Sequence, residues 1–349
     1  MNAAALPEPG RATGRDGARG GTGGGMGDGL VIGLDVGGTG ARGLLADASG
    51  RPLARLRRER GGPGEDAGAA EALVRLVEEL LTSAGADRAD AVVLGSTGVS
   101  GLGGTPRAAL AELLGTAAGA GSVLFVSDAL ISYAGALGLA GGAVIAAGTG
   151  AVAIGADGRG AWRKVDGWGH LLGDDGGGAW IGRAGLAAAL RHHDGRPGGS
   201  AALFAALTRG FGGPMELVEE IYTRADRATL LARFVPSVAA AAGDGDPVAA
   251  AILDRAGAHL AEAALAALPP GAPRVVAYAG NLIPSVRRVA EAFARRLAEE
   301  DLTPTPPRGP AVDGAVLLAA ALRGGGLPPG LRESPFILDE WHERADPGH

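Results

Sequence analysis

Residues 30–40 read LVIGLDVGGTG, an apolar β-branched run that ends in a carboxylate and a glycine-rich turn. Valine and isoleucine favour extended backbone, and the glycines after Asp35 supply the conformations that a tight turn needs. A second extended run covers residues 41–47, and a third covers residues 52–59 after the turn at 48–50. The stretch therefore predicts a three-stranded meander in which Asp35 lies at the end of the first strand.

The chain beyond the meander alternates helices with strands, in the order βββαβαβα. The elements after the meander are a helix over 71–81, a strand over 91–94, a helix from about Arg107, a strand over 123–126 and a helix near Asp128. The pattern restarts at Gly142, with strands over 143–147 and 151–155 and a third segment around 160–165. Two successive meanders predict a duplicated α/β domain.

The rest of the chain is mostly helical after Gly178, with one strand over 274–278 and a last helix over 312–322. That last helix is a candidate to return to the N-terminal lobe. The chain is predicted to begin with a disordered tail (1–29), which lacks large apolar side chains. An N-terminal lobe (30–140) and a C-terminal lobe with a helical insertion (141–323) follow, and a C-terminal tail covers residues 324–349. Phe336-Ile337-Leu338 and Trp341 indicate that part of the C-terminal tail docks on the folded domain.

Composition narrows the class of partner. The chain of 349 residues has a net charge of -6 and no long basic run, which argues against nucleic acid or an anionic membrane surface. It has 0 cysteines, which excludes disulfides, thiolate metal sites and a cysteine nucleophile. No apolar stretch reaches the roughly 20 residues of a membrane span, so the expected location is the cytoplasm. Its one lysine, Lys164, precedes Val165 instead of Ser or Thr, which excludes a P-loop.

Two glycine turns are candidate phosphate-binding sites. In the first turn, Gly37, Gly38 and the Thr39 hydroxyl would form an anion-binding concavity, and Asp35 would support hydrated Mg²⁺. The second turn, Gly148-Thr149-Gly150, occupies the matching point of the second meander. Either turn alone also fits an ordinary hairpin, because the chain has 64 glycines. Together they predict a clamp for nucleotide phosphates, with one turn from each lobe.

Three further stretches complete the pattern: VSDA (126–129), GWGHLLGDDGG (167–177) and AGNL (279–282). With the two glycine turns in this order, the chain resembles the sugar kinase, hsp70 and actin superfamily, and within it the N-acetylglucosamine kinase and BadF/BadG/BcrA/BcrD ATPase-like group. The likeness covers residues 30–323. It implies a two-lobed, actin-like (ribonuclease H-like) α/β fold with duplicated βββαβαβα domains and an interlobe cleft. It also implies a kinase that uses ATP and Mg²⁺ to phosphorylate an amino sugar.

The resemblance assigns roles to single residues. Asp128 would be the catalytic base, which orients the sugar hydroxyl and takes its proton. Ser127-Asp128 is also an ordinary helix N-cap sequence, so a capping role is open beside the catalytic one. Asp174 would bind the sugar, and Gly280 with Asn281 would contact adenosine.

The loop GWGHLLGDDGG would fold over the sugar. Gly167 and Asp175 are assigned to substrate contacts in this loop. Trp168 would either stack on a sugar face or anchor the loop in the core, and the two readings are equally open. Gly98 and Ser100 belong either to a hydroxyl-rich loop that matches the family's at the cleft or to a plain connector.

Asp166 marks a departure from the N-acetylglucosamine kinases, which usually have glycine here and have Glu in place of Asp175. A carboxylate beside the 2-substituent of the sugar suits an ammonium group better than an acetamide methyl. The expected acceptor is therefore the 6-hydroxyl of glucosamine, with N-acetylglucosamine and a non-enzymatic sugar sensor as the alternatives. Which of Asp166, Asp174 and Asp175 faces the sugar stays open, and a homodimer is compatible with the resemblance.

Overall fold

The N-terminal lobe follows the predicted order of strands and helices. The computed structural model describes residues 29–37, 40–59, 68–96 and 106–343. The elements of this lobe are β1 (Val31–Gly37), β2 (Gly40–Ala46), β3 (Pro52–Glu59), α1 (Ala69–Ala84), β4 (Ala91–Ser96), α2 (Arg107–Ala118), β5 (Ser122–Ser127) and α3 (Asp128–Leu137). β1 is antiparallel to β2 and parallel to β4, which is parallel to β5. Helices α1 and α2 cover one face of the sheet, where their leucines pack against alternate strand residues such as Ile32 and Phe125.

The C-terminal lobe repeats the meander with β6 (Gly142–Ala147), β7 (Ala151–Ala156) and β8 (Trp162–Asp166), and adds β9 (Val276–Ala279) parallel to β6. In the part of the chain that the structure describes, the sheet order is β8-β7-β6-β9. Beyond β9, Thr305 makes an isolated parallel bridge to Ala277. Pro304 and Pro306 flank Thr305 and cannot donate to a ladder, so the duplication is shorter here than predicted.

Outside its sheet the C-terminal lobe is mostly helical, as the sequence predicted. The helices of this lobe are α4 (Gly178–His193), α5 (Ala201–Phe211), α6 (Pro214–Thr223), α7 (Arg227–Ala232), α8 (Val235–Gly243), α9 (Pro247–Ala267), α10 (Leu282–Ser285) and α11 (Arg287–Ala298). α9 packs on β6, β7 and α11, and its Leu260 joins Ile145 and Phe293 in the core of the lobe. Across the described ranges, no helix combines the length and apolarity that a membrane crossing requires.

The two lobes share a core around the last helix, α12 (Ala311–Arg323). This helix packs on β1 and on α3, and α3 also packs against β6 of the other lobe. The α12 and α3 backbones approach closely, because a Cβ at Gly314 would overlap the Ile131 carbonyl. One apolar cluster contains residues of both sheets, Val31 and Val144 among them. The last helix therefore joins the lobes at the base of the space between them.

The C-terminal tail contacts both lobes. Its strand β10 (Ile337–His342) pairs antiparallel with β5 at an edge of the N-terminal sheet. Directly before β10, the Phe336 carbonyl accepts the Ser127 amide at 2.9 Å. The Pro329 carbonyl accepts the indole N–H of Trp162 in the C-terminal lobe at 3.1 Å. The apolar residues that indicated docking thus belong to a strand pairing that the sequence pattern did not predict.

Candidate active site

The parallel strands of the N-terminal sheet bring their carboxyl ends to one edge. Asp35 of β1 is level with Gly95 of β4, and Gly95 is level with Val126 of β5. Helix α3 starts directly after β5, so Asp128 lies at the same edge as Asp35. Open α/β sheets bind their ligands at such edges, beyond the carboxyl ends of the strands. The fold therefore places both carboxylates where a ligand site is expected.

At the β5–α3 junction, Ser127 caps the helix and Asp128 does not. Ser127 is the N-cap of α3, and its hydroxyl oxygen accepts the Leu130 amide at 3.2 Å. Asp128 is the first residue of the helix, and its Oδ1 accepts the adjacent Ala129 amide at 2.8 Å. Because Ser127 supplies the cap, Asp128 is not needed for it.

The Asp128 carboxyl has an unusual environment. Burial raises its pKa above the ordinary value for aspartate, and the Ala129 amide opposes that rise. The nearby carboxylates of Asp35 and Asp174 raise the pKa further, because like charges disfavour a second ionised group. Asp35 belongs to the N-terminal lobe and Asp174 to the C-terminal lobe. Carboxylates of both lobes therefore act on Asp128 in the space between them.

Asp35 is largely covered, with 12% of its side chain exposed, and its Oδ2 pairs with Arg42 at 2.9 Å. Arg42 lies opposite Asp35 in the β1–β2 register. Among the described residues, no group of three His, Asp or Glu side chains is arranged to hold a metal ion. Mg²⁺ in phosphoryl-transfer sites commonly takes most of its ligands from phosphate oxygens and water, with one or two carboxylates from the protein. Asp35 fits a supporting role of that kind.

Both glycine turns have an open side. Among the described residues, a Cβ added at Gly37 or at Gly148 would meet no atom within 4 Å. Each glycine therefore leaves room for a ligand to approach the backbone. Gly38 and Thr39 of the first turn lie outside the described residues, as do Gly98 and Ser100.

The second turn, Gly148-Thr149-Gly150, is fixed by the start of α4. The Gly178 amide donates to the Gly148 carbonyl and the Ala179 amide donates to the Thr149 carbonyl, both at 2.8 Å. Gly177 allows this close approach, because a Cβ there would lie 2.8 Å from the Gly150 carbonyl carbon. The glycines of the loop before α4 therefore let it pack against the turn.

The two residues assigned to adenosine lie beside this turn. Gly280 follows β9, which is parallel to β6, so it lies at the same sheet edge as Gly148. Its φ of +82° favours glycine, and a Cβ there would overlap the Ala147 carbonyl. Asn281 comes next, at the start of α10. The structure thus brings residues 147–150 and 280–281 together.

Asp174 extends from the loop before α4 towards the same turn. Its Oδ1 accepts the Gly169 amide at 3.1 Å, and a Cβ at Gly150 would lie 2.5 Å from its Oδ2. Burial raises the pKa of the Asp174 carboxyl, and the neighbouring Asp166 adds to the rise, whereas the Lys164 ammonium lowers it. Asp174 therefore combines partial burial with a position next to the second glycine turn.

Asp166 and Asp175 are placed differently from Asp174. The Asp166 Oδ1 accepts the Asp174 amide at 2.7 Å, and its Oδ2 accepts the Asp175 amide at 2.8 Å. The Asp175 residue is exposed. Trp168 is 68% exposed, and the Lys164 ammonium lies 4.4 Å from its ring centre. The ring of Trp168 is therefore not packed into the core.

Two residues near the site were not predicted. Lys164 donates to the Gly167 carbonyl at 3.2 Å and holds the ring of Trp168. The sequence showed only that this lysine does not belong to a P-loop, because its contact with the loop depends on tertiary structure. The position of Arg42 could have been predicted from the sequence, since an antiparallel hairpin of β1 and β2 places it opposite Asp35.

A comparison with known proteins gives the chain a family. The profile of the BadF/BadG/BcrA/BcrD ATPase family matches residues 32–319. The chain belongs to this family. A solved structure from Chromobacterium violaceum that carries the name N-acetylglucosamine kinase is 27% identical, has a TM-score of 0.65, and covers 82% of this chain and 98% of its own.

Two further relatives of the BadF/BadG/BcrA/BcrD family member are informative. A ROK family glucokinase from Streptomyces griseus, solved with glucose and AMPPNP, is 20% identical with a TM-score of 0.52 over 85% of this chain and 100% of its own. At that identity it shows the fold alone, and the two-lobed actin-like α/β fold is thereby confirmed. A curated N-acetylmuramic acid/N-acetylglucosamine kinase from Clostridium acetobutylicum is 37% identical over 76 residues, which span 22% of this chain and 25% of that protein.

Proposed function

We propose that this family member is an ATP-dependent kinase that phosphorylates the 6-hydroxyl group of an amino sugar. The observation that carries the proposal is that Asp35 and Asp128 lie at one edge of the N-terminal sheet, while Asp174 of the opposite lobe packs against the second glycine turn. The charge of Asp174 also contributes to the raised pKa of Asp128, which agrees with a site that both lobes form. The names of the Chromobacterium and Clostridium relatives support a sugar acceptor.

The proposed chemistry requires one proton acceptor. The sugar oxygen attacks the γ-phosphorus of ATP, the new O–P bond forms as the bond to the β,γ-bridging oxygen breaks, and the hydroxyl proton passes to the Asp128 carboxylate. The raised pKa of Asp128 suits this step, because a more basic carboxylate takes a proton more readily. Ser127 fixes the start of α3 and so holds the base at the strand end.

The two glycine turns would receive the nucleotide. Gly37 and Gly148 each have an open side at which phosphate oxygens would approach the backbone. Asp35 would hold the hydrated Mg²⁺ ion, whose charge would offset that of the phosphates. Gly280 and Asn281 would contact the adenosine, because they lie next to the second turn at the same sheet edge.

Between the two amino sugars, we place N-acetylglucosamine before glucosamine. The case for glucosamine rested on an Asp166 carboxylate free to pair with an ammonium group. Both oxygens of that carboxylate accept backbone amides of the loop, at 2.7 and 2.8 Å. The relatives also support N-acetylglucosamine, because both carry it in their names.

The test is an ADP-release assay with N-acetylglucosamine, glucosamine, N-acetylmuramic acid and glucose, which compares kcat/KM values. We expect turnover with at least one amino sugar and the highest kcat/KM for N-acetylglucosamine. Sugar binding without ADP release, measured by calorimetry with and without an ATP analogue, would identify a sugar sensor and overturn the kinase. A higher kcat/KM for glucosamine would overturn the acceptor order alone.

Gly148→Ala probes the nucleotide site in the same assay. The added Cβ meets no atom of the part of the chain that the structure describes within 4 Å, and Gly148 is not among the residues with positive φ. The variant should therefore fold with a stability within about 0.5 kcal/mol of the parent. A raised KM for ATP with an unchanged KM for the sugar would support phosphate binding at this turn, and an unchanged KM for ATP would contradict it.

A further inference from the structure

Two aspartates of the loop between β8 and α4 have left-handed backbone. Asp166 at its start has a φ of +59°, and Asp174 near its end has a φ of +58°. Left-handed backbone is uncommon for residues other than glycine, and it persists where the surroundings enforce it. The two residues are also linked to each other, because Asp166 accepts the Asp174 amide. The loop is therefore closed at its base by a single carboxylate.

We propose that Asp166 is a positioning residue that sets the conformation of this loop and thereby aims Asp174 at the acceptor sugar. The proposal rests on the function proposed above and assigns Asp166 no contact with the sugar. Its two oxygens accept the amides of Asp174 and Asp175, at 2.7 and 2.8 Å. Charge-assisted hydrogen bonds of this length are among the strong ones. The carboxylate holds the backbone on which Asp174 is carried.

The packing around Asp166 supports this role. A Cβ at Gly173 would overlap the Asp166 Oδ1 and lie 3.1 Å from the Trp168 Cβ, so glycine is required for the carboxylate to reach the amides. Gly167 has a φ of +72°, and a Cβ there would lie 2.7 Å from Val152 Cγ2. The glycines of the loop therefore have a steric purpose, which is to let the chain wrap around the Asp166 side chain.

The consequence for Asp174 follows from its own contacts. With its amide held by Asp166, the Asp174 Oδ1 accepts the Gly169 amide at 3.1 Å and the Oδ2 lies against Gly150. Asp166 also raises the pKa of the Asp174 carboxyl through its charge, and the Lys164 ammonium and His170 lower it. Asp166 therefore acts on the acceptor site through the backbone, and its removal should affect every acceptor sugar alike.

The first test is Asp166→Asn, with Asp301→Asn as the matched control, because Asp301 shares the left-handed backbone with a φ of +54° but is exposed and outside the site. The amide side chain has nearly the same shape but offers an NH₂ group to one of the two backbone N–H donors, so one hydrogen bond is lost. We expect kcat/KM to fall about tenfold or more, the scale of one charge-assisted hydrogen bond. The fall should be the same for N-acetylglucosamine and glucosamine, with the KM for ATP unchanged. Asp301→Asn should stay within about twofold of the parent.

A selective loss of glucosamine turnover in Asp166→Asn would overturn the proposal, because it would make the carboxylate a ligand of the ammonium group. Gly173→Ala gives a second route to the same loop, since its Cβ displaces the Asp166 oxygen without changing any charge. It should reproduce the equal loss for both sugars. An unchanged kcat/KM in both variants would also overturn the proposal.

Amide hydrogen exchange separates this inference from the proposed function. The Asp174 and Asp175 amides should exchange faster in Asp166→Asn than in the parent, and at an unchanged rate in Asp301→Asn, whether or not any sugar is phosphorylated. Faster exchange in a protein that phosphorylates no sugar would retain the loop assignment and reject the kinase. Unchanged exchange at both amides would reject the loop assignment while leaving the kinase intact.

Discussion

The β2–β3 turn and the β5–α3 junction each contain one aspartate, and the protein treats the two carboxylates in opposite ways. Asp47 in the turn accepts the Ser49 hydroxyl and amide and the Arg51 amide and guanidinium, at 2.5 to 3.1 Å. These hydrogen bonds, led by the Ser49 hydroxyl, hold its pKa well below the ordinary range. Asp128 is buried, its described protein donor is the Ala129 amide, and its pKa is raised.

The charge of Asp47 stabilises the folded state, whereas the charge of Asp128 destabilises it. A group with a depressed pKa is better stabilised in its charged form by the folded state than by the unfolded state, and a carboxylate with a raised pKa is the reverse. Asp128 persists in an unfavourable environment, with the carboxylates of Asp35 and Asp174 nearby. Such sites are candidates for function, because stability alone would not retain them.

Asp128→Asn should produce the largest effect on activity and reverse the usual effect on stability. Loss of the base should lower kcat by at least about 100-fold, the lower end of what a general base contributes. The neutral amide no longer places a charge in a buried site, so the melting temperature should rise. Steady-state kinetics and thermal unfolding of the same preparation measure both quantities.

Calorimetric binding of sugar and an ATP analogue should persist in Asp128→Asn, which serves as the control for an intact site. Near-normal turnover would remove Asp128 from the catalytic role. A lower melting temperature would instead show that the Asp128 charge stabilises the fold, which would contradict the comparison with Asp47.

The pH dependence of the parent enzyme is the next effect in size. Because Asp128 must be ionised to accept a proton, kcat should fall about tenfold per pH unit below its pKa. That pKa lies above the ordinary aspartate value, so the acid limb should lie above about pH 4. The stability contribution has the opposite sign: the ionised Asp128 destabilises the folded state above its pKa, and protonation relieves this cost as the pH falls towards the unfolded value.

Kinetics and unfolding free energies between pH 4 and pH 8 measure both trends, and Asp128→Asn is the reference that lacks the Asp128 contribution. The difference in unfolding free energy between the variant and the parent should grow as the pH rises through the Asp128 pKa. A difference independent of pH would show that the Asp128 pKa is not raised in the folded state.

Much of this picture was available from the sequence because it depends on local patterns. Alternating β-branched runs and glycine turns predicted the two meanders, and strand ends predicted where Asp35 and Asp128 lie. The roles of Asp128 and Asp174 came from a resemblance to a family, and a structure adds their electrostatic coupling, which joins residues 46 positions apart in different lobes. Periodicity carries no information on such a contact.

The remainder depended on contacts that no local pattern encodes. From the sequence, Asp166 was interpreted as a carboxylate available to a ligand. In the structure a left-handed backbone turns its oxygens towards two amides, and this conformation is uncommon outside glycine, so the sequence did not indicate it. Strand β10 was not predicted, for a related reason. Its residues adopt strand geometry by pairing with β5, which is distant from them in the sequence. Both cases concern residues whose conformation is set by tertiary partners.

Asp174→Asn sharpens the comparison on the sugar side of the site. Asp174 is partly buried and has a raised pKa, like Asp128, but we assign it to binding and not to proton transfer. Loss of one charge-assisted hydrogen bond to a sugar hydroxyl should raise the sugar KM about tenfold, with a smaller change in kcat than in Asp128→Asn. A fall in kcat without a change in the sugar KM would assign Asp174 to the chemical step. Inhibition kinetics with a non-reacting sugar analogue confirm which constant has changed.

Asp47→Asn should give the smallest effect on activity, and its effect on stability should be opposite to that of Asp128→Asn. The residue is remote from the site residues in the β2–β3 turn, so kcat and both KM values should stay within about twofold of the parent. The melting temperature should fall, because the amide cannot accept all the hydrogen bonds that the Asp47 oxygens receive from Ser49 and Arg51. Its depressed pKa sets the pH window: the stabilisation is present above the ordinary aspartate pKa of about 3.9 and is lost as the pH falls further. The loss in melting temperature should therefore be seen at pH 7 and disappear in strong acid, and a loss that persists unchanged into strong acid would show that the Asp47 charge is not its cause.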